Sequence, residues 1–362
     1  MSQTAGSIPF ATIFTSATDE SSCEDSRRII GSEVGAISSL MMELYVTNVL
    51  IILTHAATVR QRYYDGIKAQ FPDIALNVVD HHSKAQPYLA SADALLTFGT
   101  MTYERLVVDA PRLRWIQALG TGTDGIVDLP SFRAGITVTN VRGIHGAAMS
   151  EAALVAMLAL SRNFPRAVRA QDRRSWERWP SRLLDTKAAG IFGIGSIAEA
   201  LAPRLKALGM TVVGISSVKR MVAGFDRILA REQLIDAVRD LDYLVILTPY
   251  SAATKNIVSA AVFAAMKPSA YIINLARGGV IDEEALIEAL DQKRIAGAAL
   301  DVFTEEPLPD GHPLWNRTDV IVTAHLGGLY DRYADDAMPT LVHNLRCFLA
   351  NDMKAMINIV EH

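Results

Sequence analysis

Three strand-length apolar runs in the C-terminal half of the chain each end on a residue able to do chemistry. Tyr271-Ile-Ile-Asn274 leads through Leu275-Ala276 into Arg277-Gly278-Gly279. Gly297-Ala-Ala-Leu300 leads into Asp301 and then two carboxylates, Glu305 and Glu306. Val320-Ile-Val322 leads through Thr323-Ala324 into His325, followed by Gly327-Gly328. In open parallel sheets, ligands bind outside the carboxyl ends of the strands. An arginine there is a permanent cation whose planar fork fits a carboxylate. A histidine can give or take a proton near neutral pH. One such residue alone is ordinarily a surface charge or a structural histidine. Three on strand ends of one unit point to a catalytic cluster.

A fourth signal names the kind of unit. Ala189-Gly190-Ile191-Phe192 runs into Gly193-Ile194-Gly195-Ser196-Ile197-Ala198, a strand entering G-x-G-x-x-A. A helical stretch then continues to Leu208, Gly209 stands at its C-cap, and Thr211 to Ile215 reads as the next strand. Gly193 is expected to make the tight turn and Gly195 to let a pyrophosphate approach. Ala198 keeps the helix close to the strand, and the helix N-terminal amides face the anion. The flanking strand, helix and strand turn a weak motif into a strong one. Pro203 inside the helix is a local conflict, expected to kink it or cost about 3 kcal/mol. An NAD site ordinarily ends the second strand on Asp or Glu to bind the ribose hydroxyls. Here that place holds Ser216-Ser217 followed by Lys219 and Arg220, hydroxyls and cations suited to a 2′-phosphate. NADP(H) is therefore expected over NAD(H).

The elements that must position these residues follow from the pattern of apolar runs. Val49 to Leu53, Leu76 to Val79, Ala94 to Thr97, Leu113 to Leu119 and Ile136 to Asn140 read as strands of a first unit, with a helical stretch from Val59 to Ala69. Runs apolar on both faces and separated by helices indicate parallel sheets covered on both sides. Met149 to Leu160 is apolar nearly all round, so it is expected to be buried on every side, between domains or between subunits. A second βαβ series runs from about Ala188 to Ala324, and Ala334 to Leu349 reads as a helix returning to the first unit. The expected fold class is α/β, with two Rossmann-like doubly wound domains and a cleft between them. Residues 47–145 completed by 325–362 form one domain, and residues 146–324 form the dinucleotide-binding domain.

Composition narrows the field further. The 362 residues suit two or three domains. Half are hydrophobic and a fifth charged, which excludes a disordered chain, and the net charge of −4 offers no basic field for nucleic acid or anionic lipid. Cys23 and Cys347 are too few for a disulfide framework, so a reducing compartment, the cytoplasm, is expected. No apolar stretch is long enough to span a bilayer; Leu44 to Val59 contains Asn48 and His55. His81-His82 and His145 lack metal-ligand spacing, and no metal site is expected. Residues 1–46 are Ser/Thr-rich and aperiodic, an extension expected to be disordered. Ser26-Arg27-Arg28 has the outline of an export signal, but acidic residues precede it and Glu33 interrupts the apolar run. Met41 or Met42 is the expected natural start, with residues 1–40 dispensable.

From about Asn48 onward the chain resembles the D-isomer-specific 2-hydroxyacid dehydrogenase family, in its glyoxylate/hydroxypyruvate reductase-like branch. The resemblance rests on the glycine fingerprint at Gly193, Asn274 to Asp282, Ala299 to Pro307 and Thr323 to Gly328, in order and spacing. Thr323-Ala324-His325 departs from the commoner Thr-Pro-His, which bears on the loop shape rather than on the histidine. The resemblance implies Arg277, Glu306 and His325 as the catalytic set, with Glu306 hydrogen-bonded to His325 and orienting its ring. It also implies that Phe98-Gly99-Thr100 holds the substrate carboxylate with main-chain N–H groups, together with Arg277 and His325. The stretches Thr248-Pro249 and Leu275-Ala276 then line the cofactor, as do His325 and Gly327, while Asp301 binds the nicotinamide amide.

The implied reaction is hydride transfer between NAD(P)(H) and a small 2-oxo or D-2-hydroxy acid, with His325 as proton donor to the carbonyl oxygen. A homodimer is expected from the apolar helix and the family's habit. Two alternatives share the fold. A formate dehydrogenase would resemble a Gln–His pair where this chain has Glu306 with His325. A cofactor-sensing corepressor would retain the fold without turnover.

Overall fold

The computed structural model describes residues 46–99, 102–218 and 220–361. The expectations placed on residues 1–45, including Arg27-Arg28, Met41 and Met42, and those placed on Thr100 and Lys219, lie outside the described residues.

Two parallel sheets organise the chain. The first contains β1 (Asn48–Ile52), β2 (Ala75–Val79), β3 (Ala94–Thr97), β4 (Trp115–Ala118) and β5 (Thr137–Thr139), in the order β2-β1-β3-β4-β5. Val49 pairs in parallel with both Leu76 and Ala94. The second contains β6 (Ala188–Phe192), β7 (Thr211–Ser216), β8 (Arg227–Ala230), β9 (Tyr243–Ile246), β10 (Tyr271–Asn274), β11 (Gly297–Leu300) and β12 (Val320–Val322). Its order is β12-β11-β10-β9-β6-β7-β8, so the strand order reverses between β6 and β9. A crevice opens at such a reversal, and it is where doubly wound folds bind ligands. The double-sided burial read from the apolar runs is what forms. Val49, Ile51 and Leu53 pack into one core layer, whereas Leu50 and Ile52 pack into the layer on the opposite face.

The helices that matter to the site are α1 (Ala57–Gln70), α2 (Gly146–Arg162), α3 (Phe164–Asp172), α4 (Ser196–Ala207) and α5 (Tyr333–Leu349). α5 returns to the first sheet, where Tyr333, Ala337, Leu341 and Leu345 share a core with Tyr63 and Ile67 of α1. α2 packs on the second sheet, with Met149, Ala153, Met157 and Leu160 in one core with Ala198, Leu201 and Leu205 of α4. Within one chain α2 is not covered on every side: Val155 is 67% and Leu158 42% exposed on its outward face, the face for which cover by a second subunit is expected. α3 was not expected from the sequence. Asn163 in the left-handed conformation ends α2, and Pro165 in the first turn of α3 restarts the chain at a new angle.

The conflict at Pro203 is absorbed, since α4 runs through it to Ala207. The carbonyl it leaves without an amide partner belongs to Glu199, an exposed residue within reach of water. The two lobes join where the chain passes from β5 into α2 and back from β12 into α5. His145 Nε2 lies 3.0 Å from the Tyr333 hydroxyl across that junction, and Tyr333 donates to the Leu119 carbonyl at 2.6 Å. Among the described residues, no helix is long and apolar enough to cross a membrane.

Candidate active site

Carboxyl ends of β10, β11 and β12 deliver the three residue types singled out in the sequence. His325 follows β12 in a left-handed conformation (φ 53°), its N–H donating to the Asp301 carbonyl at 2.8 Å. Its Nδ1 lies 2.7 Å from Glu306 Oε2, and Glu306 Oε1 accepts from the Phe303 N–H at 3.0 Å. One carboxylate oxygen is thus anchored to its own turn and the other steers the imidazole. Burial pushes the Glu306 carboxyl up. The His325 hydrogen bond, the Phe303 N–H and the charges of His325 and Arg277 outweigh that, and the net shift is downward. Arg277 therefore belongs to the same electrostatic cluster. Its Nη1 donates to the Ala276 carbonyl at 2.7 Å, and its Nε to Asp124 Oδ2 at 2.7 Å.

Asp301 has a task that sequence reading did not foresee. Its buried carboxylate accepts from the Thr323 hydroxyl at 2.5 Å and the Leu326 N–H at 2.8 Å on one oxygen, and from the Gly327 N–H at 2.8 Å on the other. The residue clamps the loop that carries His325. Gly327 is close against it, since a Cβ there would stand 2.9 Å from Asp301 Oδ2.

The dinucleotide turn fits the cofactor residue by residue. Gly193 takes φ +101°, and a Cβ on it would stand 2.5 Å from the Thr248 main-chain nitrogen, so the turn requires glycine. At Gly195 a Cβ would meet nothing within 4 Å, leaving open space above the turn. Gly195 caps α4, whose first residues Ser196 and Ile197 present N–H groups that no helical carbonyl takes. Ile194 packs its side chain over Gly214 of β7. These features fit a pyrophosphate. Ser216 and Ser217 close β7, with the Ser217 side exposed. The Arg220 guanidinium lies over the same turn, 2.6 Å from Glu199 Oε1 and 3.3 Å from the Ile194 carbonyl. Thr248 is buried beside Gly193, and Pro249 is exposed. Leu275 and Ala276 are packed in the core, so main chain is what they can offer the crevice.

In the first lobe Gly99 is buried, and Phe98 stacks on His55 with ring centroids 5.4 Å apart. A cavity of about 70 Å³ lies beside them, lined by Leu53, His55, Tyr63, Phe98, Leu329 and Tyr333 among others. Two residues of this face escaped sequence reading, Gly122 and Asp124, which meet Arg277 from the first lobe. The signal was present, because Gly120-Thr-Gly-Thr-Asp124-Gly125 follows β4 as the other glycine-bearing loops follow their strands. Among the described residues no group of His, Cys, Asp and Glu could hold a metal ion.

The geometry can be set beside known proteins. A family model described as D-isomer specific 2-hydroxyacid dehydrogenase, NAD binding domain, matches residues 154–327. The chain is similar to D-3-phosphoglycerate dehydrogenase of Methanocaldococcus jannaschii, 32% identical over 282 residues, 75% of this chain and 53% of that protein. It is also similar to glyoxylate/hydroxypyruvate reductase A of Serratia proteamaculans, 31% identical over 230 residues, 62% of this chain and 74% of the reductase. Among solved structures, a D-isomer specific 2-hydroxyacid dehydrogenase family protein from Aeromonas salmonicida superposes with a TM-score of 0.77 at 30% identity, covering 87% of this chain and 99% of that one. The chain belongs to the D-isomer specific 2-hydroxyacid dehydrogenase family. Another family member, from Xanthobacter autotrophicus and solved in complex with NADPH and MES, superposes on this chain with a TM-score of 0.72 at 26% identity. It is matched over 87% of this chain and 98% of its own. The chain spans about half the length of the curated phosphoglycerate dehydrogenases that it matches.

Proposed function

We propose that this dehydrogenase is an NADP(H)-preferring reductase of small 2-oxo acids, of the glyoxylate or hydroxypyruvate type, working reversibly on D-2-hydroxy acids. The observation that carries the reading is the cluster of His325, Glu306 and Arg277 at three neighbouring strand ends, with the imidazole 2.7 Å from the glutamate. Bound in the crevice over Gly193 to Ile197, the nicotinamide cofactor would supply a hydride. Arg277 binds the carboxylate of the substrate, and main-chain N–H groups of the Phe98–Gly99 segment share it. His325 holds a proton at Nε2 for the carbonyl oxygen, while Glu306 fixes the ring at Nδ1 and balances the charge that protonation brings. In the reverse direction the same nitrogen accepts the proton.

Several features support the finer points. Ser216, Ser217 and Arg220 around the turn, with no carboxylate closing β7, favour a 2′-phosphate. The Xanthobacter relative was solved with NADPH. One relative is a glyoxylate/hydroxypyruvate reductase, which favours a short substrate. We place the hinge between the catalytic domain, 47–145 with 325–362, and the nucleotide domain, 146–324, at the His145–Tyr333 junction. Val155 and Leu158 of α2, Phe164 and Val168 of α3 and the 94% exposed Trp176 are large apolar side chains left exposed in the single chain, which favours a homodimer. The low cysteine count favours the cytoplasm.

The deciding experiment follows nicotinamide absorbance with NADPH and NADH against glyoxylate, hydroxypyruvate, pyruvate and 3-phosphohydroxypyruvate. Turnover with NADPH and the first two at the highest kcat/KM is expected. No oxidation with any 2-oxo acid refutes the reading, and a preference for the phosphorylated acid moves the substrate toward that of the phosphoglycerate relatives.

A further inference from the structure

We propose that Asp124 is the positioning residue for Arg277: it reaches from the first lobe to aim the guanidinium of the second, and in doing so latches the two lobes. The proposal rests on the reading of Arg277 as the carboxylate-binding cation.

Two of the three guanidinium nitrogens are already held. Nε donates to Asp124 Oδ2 at 2.7 Å from the loop after β4, and Nη1 donates to the Ala276 carbonyl at 2.7 Å. The planar group is thus fixed from both lobes, and its Nη2 end remains for an incoming carboxylate. Nη2 lies over the main chain of Gly122, where a Cβ would stand 1.7 Å from it and 3.0 Å from Asp124 Oδ2. Residue 122 cannot carry a side chain while this pair is made.

The aspartate is offered from a rigid platform. A Cβ on Gly99 would stand 2.1 Å from the Asp124 carbonyl oxygen, and one on Gly125 (φ +79°) 2.5 Å from the Gly99 carbonyl oxygen. The Gly125 N–H donates to Asp128 Oδ1 at 2.6 Å. The loop that aims the arginine therefore abuts the segment expected to share the substrate carboxylate.

A stabilising role for the fold does not account for the pair. The side chains of Arg277 and Asp124 are 32% and 48% exposed, and an ion pair so open to water contributes little to stability. A carboxylate beside the cation also weakens its pull on an anionic substrate. What it supplies is aim, because a free arginine must give up much rotamer freedom on binding. Since the partners belong to different lobes, opening the cleft breaks the pair and closing it restores the aim.

The test uses Asp124→Ala, Asp124→Asn and Gly122→Ala in the full-length chain. NADPH affinity, read by fluorescence titration, should stay unchanged in all three. For Asp124→Ala the KM for glyoxylate should rise about tenfold, with a smaller loss in kcat. Asp124→Asn keeps an acceptor for Nε and should recover most of it, whereas Gly122→Ala should resemble Asp124→Ala. An unchanged KM in Asp124→Ala overturns the proposal, as does a lower melting temperature with unaltered kinetics. A readout without turnover separates this from the functional reading. Spin labels at Glu104→Cys and Glu232→Cys, in a Cys23→Ser background with Cys347 buried, report the spacing of the lobes. If the wild type reduces no 2-oxo acid, the functional reading fails. The label distances then decide the latch alone, a longer and broader distribution in Asp124→Ala supporting it and an unchanged one overturning it.

Discussion

Asp301 holds His325 twice over: its carbonyl takes the histidine's own N–H at 2.8 Å, and its carboxylate takes the N–H groups of the next two residues at 2.8 Å each. The carboxylate is buried, so replacing it leaves those donors without an equal partner. Asp301→Asn keeps an acceptor but puts an amide where three donors converge. It should lower stability by about 1–3 kcal/mol and lower kcat more than it raises the KM for substrate. Denaturant unfolding and steady-state kinetics on one preparation check both effects.

The proton-transfer role of His325 separates from the orienting role of Glu306. His325→Ala should lower kcat by about 10²–10⁴-fold, with NADPH affinity retained. Glu306→Gln keeps a hydrogen bond to Nδ1 without the charge and should cost less. Equal losses in the two variants would place the chemistry on the carboxylate instead.

Acid stability carries the signature of Glu306. Its carboxyl lies below its ordinary value near 4.5 in the folded chain, so the folded state binds its proton more weakly than the unfolded chain does. The resulting stabilisation is complete above the unfolded value and is lost as the pH falls through the folded one. Melting temperatures of wild type and Glu306→Gln should therefore differ most above about pH 5 and converge below it, as calorimetry from pH 7 to 3.5 will show.

Cofactor preference should turn on Arg220. Its guanidinium is paired with Glu199 at 2.6 Å, so a 2′-phosphate must draw it away. Arg220→Ala should raise the KM for NADPH about tenfold while changing that for NADH little. Glu199→Gln frees the arginine and should lower the NADPH value. Initial rates across both cofactors measure each.

Association should depend on the outward face of α2. Val155→Glu together with Leu158→Glu puts two charges into an apolar surface, and the mass from sedimentation should fall from that of a dimer to that of one chain. A wild type that already sediments as a single chain removes the homodimer.

Much of this was legible in the sequence for a simple reason. Buried parallel strands such as Val49 to Leu53 are apolar on both faces, and the glycine turn at Gly193 has a steric cause that fixes its residue type. His325 and Arg277 were legible because each follows such a strand beside glycines. The loop that bears Asp124 carried the same signal after β4, but its pairing with Arg277 was not legible, since that partner lies 153 positions away on the other lobe. Asp301 was legible as a position by resemblance, but its grip on the histidine loop depends on how β11 and β12 lie side by side. For α2, composition reports how apolar the helix is and not which neighbours cover it, and within one chain Val155 and Leu158 stay exposed.

The return of α5 to the first lobe bears on how the molecule is assembled. Tyr333, Leu341 and Leu345 complete a core whose other half, Tyr63 and Ile67, leaves the ribosome some 270 residues earlier. The second lobe is continuous in sequence and can fold while the first still waits for its last helix. His325 lies just before that helix but is held by Asp301 and Glu306 of the second lobe, so the imidazole is set in place before the final segment docks and completes the substrate-side core. A nascent chain stalled short of Tyr333 would then bind dinucleotide without turning anything over.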